Sequence, residues 1–309
     1  MLYLPQILLK VIMKKAKNQI FYKIHLKSFF SPQNKTTYSV FCYIFSNLFF
    51  PMWLFSQSPI TWQTQQTDIK SKNLDREVRL TVLTPFQGKK VKGNAAVLLV
   101  NDGQDFPQLN LVATLERLCK EHKIPPVLVV GIHCNHDRMN EYGTASQADY
   151  KNRGNKAKLH TLFVLEELLP YLHKNYDVKK DVSDTFFAGF SLGGLSALDI
   201  VWHHPEVFSK VGVFSGSLWW RKNAYEDNYK EDSDRIMHNL VREGTYKKNM
   251  KFWLEVGTED ELEDRNNNGI IDAIDDTVDL MKELHLKGYK YDTDMTYYEI
   301  KGGKHNPAT

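Results

Sequence analysis

No aspartate or glutamate occurs before Asp68, and no charged residue of either sign occurs from Thr36 to Thr67. The same opening stretch carries seven lysines: Lys10, Lys14, Lys15, Lys17, Lys23, Lys27 and Lys35. With these set aside, 33 basic residues face 37 acidic ones, so the formal charge of +3 belongs to the leader and the rest is about −4. Such a body offers no basic stripe of the kind a nucleic-acid groove needs. Cysteine is scarce as well: of three, Cys42 lies in the leader, leaving Cys119 and Cys134. Two cysteines make no disulfide framework and have no paired zinc spacing, so both read as buried thiols. A long apolar run is also missing. The segment VFCYIFSNLFFPMWLF, Val40 to Phe55, is broken by Ser46, Asn47 and Pro51 and falls short of the ~20 apolar residues that span a bilayer.

Lysines ahead of a short apolar core match a secretory signal. Residues 1–66 are therefore read as a basic leader, with Ser56 to Ser58 the nearest small-residue cleavage pattern. The expected location is secreted or periplasmic. If the segment stays uncleaved, it would anchor the protein to a membrane, and no other membrane contact is expected; a third reading is an upstream start that belongs to no fold.

Beyond the leader the chain is rich in core formers. A chain of 309 residues with 42% hydrophobic and 12% aromatic content can bury a large core, and one domain over residues 67–309 is expected. REVRLTVLTP (Arg76 to Pro85) alternates apolar and polar and ends at a proline, as an antiparallel or edge strand does. AAVLLV (Ala95 to Val100) and PVLVVGI (Pro126 to Ile132) are continuous apolar runs, as strands buried on both faces should be. Between them Leu111, Leu115 and Leu118 recur at helical spacing. The alternation continues: a helix over 158–176, a strand over 185–190, a helix over 192–203, a strand over 210–216, a strand over 251–257, a helix ending at Gly288 and a strand over 294–302. Strands alternating with helices predict an α/β domain with a mostly parallel central sheet covered on both faces.

One serine stands out in this frame. In TFFAGFSLGGLSALDI, Ser191 lies within G-F-S-L-G-G, between an apolar strand and a helix carrying Leu195, Leu198 and Val201. A G-x-S-x-G turn from strand into helix pushes the hydroxyl out at the sheet edge and aims the next N–H at a developing oxyanion. A phosphate loop would end in Gly-Lys-Ser or Gly-Lys-Thr, which is absent. A serine nucleophile needs a base, and the base an orienting acid, here expected later in the chain in the order Ser, Asp or Glu, His. KFWLEVGTED supplies Glu259 and Asp260 after a late strand. Of the eleven histidines only His305, in KGGKHNPAT, lies beyond the last one.

The motifs LDREVRLTVLTP, LLVNDGQDF, VVGIHCNHDRMNEY, GFSLGG, HPEVFSKVGVFSGSLWW, GTED and GGKH occur in that order from Leu74 to His305. In this the chain resembles the esterase family that includes esterase D, enterochelin (siderophore) esterases, and feruloyl and acetyl-xylan esterases. The resemblance implies an α/β-hydrolase fold and hydrolysis of a small-molecule or carbohydrate ester without a catalytic cofactor. It matches Ser191 to the nucleophile, His305 to the base and Asp260, rather than Glu259, to the acid. It places the oxyanion donors at the N–H groups of Leu192 and Gln104, the latter in the Asp102-Gly103-Gln104 turn. Arg138, Glu141 and Tyr142 match an R-x-x-E-Y element of structural or pocket-rim character. Trp219 and Trp220 would stack on an aromatic or sugar group of the substrate, or else form a packed pair. Relatives continue through a final helix, so the resemblance also implies a domain lacking its C-terminal helix. An acyltransferase using the same acyl-enzyme, or a non-catalytic carbohydrate-binding relative, are the alternatives.

DRNNNGIIDAID, Asp264 to Asp275, nearly reproduces a calcium-loop order. Oxygen donors fall at Asp264, Asn266 and Asn268, glycine at Gly269, a carbonyl ligand at Ile270, and carboxylates at Asp272 and Asp275. Ca²⁺ takes about six to eight oxygens on a tightly curved chain. A structural Ca²⁺ steadying the Asp260 loop is one expectation and an Asp/Asn-rich solvated turn is the other, because no helix precedes the loop.

Overall fold

The computed structural model describes residues 58–308. Nine strands form one sheet: β1 (Ile60–Ser71), β2 (Arg76–Gln87), β3 (Lys90–Val91), β4 (Ala96–Asn101), β5 (Val127–Ile132), β6 (Thr185–Phe190), β7 (Lys210–Phe214), β8 (Lys251–Glu259) and β9 (Met295–Lys304). The helices are α1 (Leu111–Lys120), α2 (Arg138–Glu141), α3 (Ala157–Leu162), α4 (Leu169–Asn175), α5 (Leu192–His203), α6 (Glu231–Asp234), α7 (Ile236–Glu243) and α8 (Asp272–Leu286). A π-helical turn, Phe163–Leu168, joins α3 to α4.

Strand order is β1-β2-β5-β4-β6-β7-β8-β9, with β3 hung on β2. The run from β5 to β9 is parallel, and β2 is antiparallel to both β1 and β5. Every residue of β4 and β5 is buried, which is why these segments read as unbroken apolar runs. From β4 the chain steps one way through α1 to β5 and then returns past β4 to β6. Right-handed crossovers in opposite directions place helices on opposite faces. One core accordingly packs Leu111, Leu115 and Leu118 of α1 on Leu98 and Val129, and the other packs Leu195, Leu198 and Val201 of α5 on Leu99 and Phe187. The carboxyl ends of β4 and β6 meet where the direction reverses, the place where open α/β sheets bind ligands.

Two expectations need correction. The sheet begins at Ile60, inside the segment assigned to the leader, because β1 buries little besides Trp62 and shows neither alternation nor an apolar run. Trp62 ties it down, its indole N–H donating to the Val127 carbonyl at 2.8 Å. The cysteines of the body are free thiols and only partly buried. Burial raises both thiol pKa values, Cys134 to about 12 with the charge of Asp102 adding to it. The leader's apolar run, Val40 to Phe55, lies outside the described residues. Among those described, no helix is long and apolar enough to cross a membrane.

Two buried histidines link the fold to pH. His160 and His238 are each about 1% exposed, and burial depresses both to about 3 from an ordinary 6.5. Each is neutral in the folded chain and protonated in the unfolded chain below 6.5, so the unfolded state binds more protons and stability falls as pH drops from there toward 3. Each histidine contributes a slope of up to about 1.4 kcal/mol per pH unit in that window. Urea unfolding at pH 5 and 6 should show a shallower slope for His238→Gln than for the wild type; equal slopes would contradict the assignment.

Candidate active site

Strand register assembles the site. Phe190 of β6 is paired with Phe214 of β7, and Glu259 of β8 with Lys304 of β9. The next residue on each strand is therefore a neighbour of the next: Ser191 beside Ser215, and Asp260 beside His305. His305 Nε2 lies 2.9 Å from Ser191 Oγ, and its Nδ1 lies 3.2 Å from Asp260 Oδ2. Ser215 Oγ donates to the other Asp260 oxygen at 2.9 Å, so the carboxylate is held on both sides. The carboxylate is buried while the imidazole is 45% exposed, leaving the ring reachable from solvent. The Phe190 ring, 4.6 Å from that of His305, supports its inner face.

Ser191 has φ 54 and ψ −125, a strained conformation for a residue with a side chain. The turn tolerates it because its neighbours take no space: a Cβ on Gly189 would stand 2.3 Å from the Gly193 carbonyl oxygen. The N–H of Leu192 opens α5, and that of Gln104 is the second in a 3-10 turn, Gly103–Gln108. Neither takes a backbone acceptor among the described residues, as expected of first-turn donors. A hydroxyl, an imidazole and a carboxylate in one hydrogen-bonded chain can relay a proton.

Ser217 and the partners of the R-x-x-E-Y element were not apparent in the sequence. Ser217 Oγ lies 3.4 Å from Ser191 Oγ. The R-x-x-E-Y element forms a clamp: Arg138 bonds both oxygens of Asp102 at 2.8 and 2.7 Å, Glu141 receives two bonds from Arg76, and the Tyr142 hydroxyl accepts the Asp102 N–H at 3.2 Å. Gln104 closes the loop by donating to Asp102 at 3.0 Å and accepting the Cys134 N–H at 3.2 Å.

Of the tryptophan pair, Trp220 is 0% exposed and rests on Gly143 and Gly154, which makes it core and not a substrate platform. Its flat bulk fills the space those glycines leave. Trp219 is partly exposed, with the Arg153 guanidinium 5.1 Å from its ring centre.

In the loop 264–275 the donors are divided. Asp264 accepts the N–H groups of Asn268 and Gly269, Asn268 Oδ1 accepts that of Ile270, and Asp275 takes the side-chain amides of Asn266 and Asn268 at 3.0 and 2.8 Å. Asp272, however, is turned to Arg265, accepting its N–H at 2.9 Å and lying 3.2 Å from its guanidinium. The assignment of Asp272 as a ligand is thus corrected: it opens α8, buried against an arginine. Among the described residues no three His, Cys, Asp or Glu side chains gather as a metal site.

Fold and edge geometry define the class as α/β-hydrolase. Residues 71–309 match the family model described as "Putative esterase", and the chain belongs to this family of carboxylic ester hydrolases. Among curated proteins, it is 24% identical over 185 residues to the uncharacterized protein YbbA of Bacillus subtilis, covering 59% of this chain and 70% of that one. It is 30% identical over 171 residues to the iron(III) enterobactin esterase of Escherichia coli O6:H1, covering 55% of this chain and 40% of that one. The enterobactin esterase structure from Shigella flexneri superposes with a TM-score of 0.61 at 22% identity, over 80% of this chain and 55% of that one. The chain thus spans about half the length or less of the enterobactin esterases it matches.

The tryptophans give a direct check on this geometry. Trp220→Ala should cost about 3–5 kcal/mol of stability, as large-to-small core changes do, and Trp219→Ala markedly less. Urea unfolding of both measures it; equal small losses would return Trp220 to the surface.

Proposed function

We propose that the protein hydrolyses a carboxylic ester through an acyl-enzyme on Ser191. The observation that carries this reading is the unbroken chain from Ser191 through His305 to Asp260. Ser191 Oγ attacks the ester carbonyl carbon as its proton passes to His305 Nε2. The carbonyl oxygen takes up negative charge against the N–H groups of Leu192 and Gln104. Asp260 fixes the imidazole with Nδ1–H toward itself and stabilises the imidazolium. When the tetrahedral centre collapses, the alkoxy group leaves with the proton from His305, and the acyl group stays on Ser191. Water then repeats the sequence, giving its proton to His305 and releasing the acid.

For the substrate, an enterobactin-type ester is the first to test, since the E. coli relative's name specifies it; acetyl and feruloyl esters come next. Trp219 and Arg153 would form the rim met by an aromatic or sugar group. With Trp220 in the core, the platform a carbohydrate-binding module would need is reduced to one ring, which favours turnover over binding alone. Export from the cytoplasm rests on the leader's lysines and apolar core.

A fluorophosphonate probe should label the full chain, and Ser191→Ala should remove the label and lower ester turnover about 10⁴-fold or more. His305→Ala should fall as far, and Asp260→Asn less, about 10²–10⁴-fold. A labelled, active Ser191→Ala would sink the mechanism. Added alcohol that captures the acyl group in preference to water would make the protein an acyltransferase.

For the loop 264–275 we propose a structural part. Asp264, Asn266, Asn268, Asp275 and the Ile270 carbonyl are hard oxygen donors suited to Ca²⁺, each asparagine presenting Oδ1 after a half-turn of its amide. The support is their spacing and the bonds that already join the side chains. Bound there, the ion would steady the segment that comes after Asp260. EGTA should then lower the melting temperature, and added Ca²⁺ restore it; an unchanged melt removes the idea.

A further inference from the structure

We propose that Arg138 keeps the oxyanion hole usable by neutralising Asp102, whose carboxylate joins the Gln104 loop to the start of the nucleophile helix; this rests on the serine-hydrolase reading above. Asp102 is buried and holds the left-handed φ of 61 that starts the Gly103-Gln104 turn. Its side chain reaches over to the nucleophile helix: a Cβ on Gly193, the residue after Leu192, would stand 2.7 Å from Asp102 Oδ2. One carboxylate thus lies against Gly193, next to Leu192 in the nucleophile helix, and against the side-chain amide of Gln104, which donates to Oδ1 at 3.0 Å on its own loop.

A bare carboxylate there would oppose the negative charge that develops on the substrate carbonyl, and burial would strengthen the opposition. Its field already reaches its neighbours, adding to burial in raising the Asp105 carboxyl and the Cys134 thiol. Arg138 answers it with a planar two-point contact, Nε to Oδ1 at 2.8 Å and Nη2 to Oδ2 at 2.7 Å, a geometry lysine lacks. The guanidinium lies 5.2 Å from the centre of the Tyr142 ring, whose hydroxyl holds the Asp102 N–H. No other cation is paired with Asp102 among the described residues. Arg138 is therefore a positioning and charge-compensating residue, acting through Asp102 and not on substrate.

A double-mutant cycle separates compensation from scaffolding. The full chain and its Ser191→Ala, Arg138→Met, Arg138→Lys, Asp102→Asn and Asp102→Asn/Arg138→Met variants are assayed on an uncharged p-nitrophenyl ester, with thermal melts of each. Arg138→Met should lower kcat about 10²-fold, the scale of a lost oxyanion donor, with KM nearly unchanged. Arg138→Lys should fall between. The double variant should recover about tenfold over Arg138→Met, because asparagine accepts the left-handed backbone and carries no charge. Arg138→Gln replaces the methionine variant if the latter does not melt cooperatively. An Arg138→Met with wild-type kcat, or a double variant no faster than Arg138→Met, overturns the inference alone, provided Ser191→Ala is inactive. An active Ser191→Ala overturns the hydrolase reading and this inference together.

Discussion

The backbone hydrogen bonds that hold β6, β7, β8 and β9 side by side bring together residues as far apart in the chain as Ser191 and His305. A strand turns its side chains to alternate faces, so a slip of one residue in any of these pairings would move a functional group to the wrong side. The buried apolar faces prevent that slip. Phe187, Val211 and Leu254 lie in one core and Phe186, Phe214 and Trp253 in the other, and neither set can face water without large loss. Packing inside the sheet thus controls distances at its edge.

The same dependence explains what could be read from residues alone. β4, β5 and β6 were legible because strands buried on both faces are apolar throughout, and α5 because its leucines recur at helical spacing. The turn at Ser191 was legible because a serine among glycines stood between an apolar strand and a helix of periodic leucines. His305 and Asp260 followed from chain order. Arg138 and Tyr142 were picked out as part of an R-x-x-E-Y element, but their pairing with Asp102, 36 and 40 positions away, was not, since it depends on where α2 settles. Trp220 misled for a related reason: two adjacent tryptophans look alike in sequence, and only the glycines beneath one of them decide which is enclosed. β1 went unseen because an outer strand with one anchoring tryptophan carries almost no periodic signal.

Charge is arranged with similar economy. Asp102 with Arg138 and Glu141 with Arg76 are buried carboxylates each answered by two fixed donors of one arginine, whereas Asp276 takes one donor from each of Arg235 and Arg265 on the same oxygen. Breaking one such pair leaves a buried charge, so their value lies in fixing loop positions more than in net stability. The first pair fixes the turn after β4, the second ties α2 to β2, and the third holds α8 to Arg235 and Arg265.

β9 has a further significance. It is the last strand in the sheet order among the described residues, pairing with β8 alone, and His305 comes directly after its final residue. A strand with one neighbour opens locally at lower free energy than the interior of a sheet. The imidazole is therefore mounted on the far end of an element that can open there while Met295, at its start, stays in the core. Gradual warming would make the fraction of molecules with a complete proton relay decline ahead of cooperative unfolding. Loss of activity and loss of fold would then be separate events, reversible in the first case and global in the second.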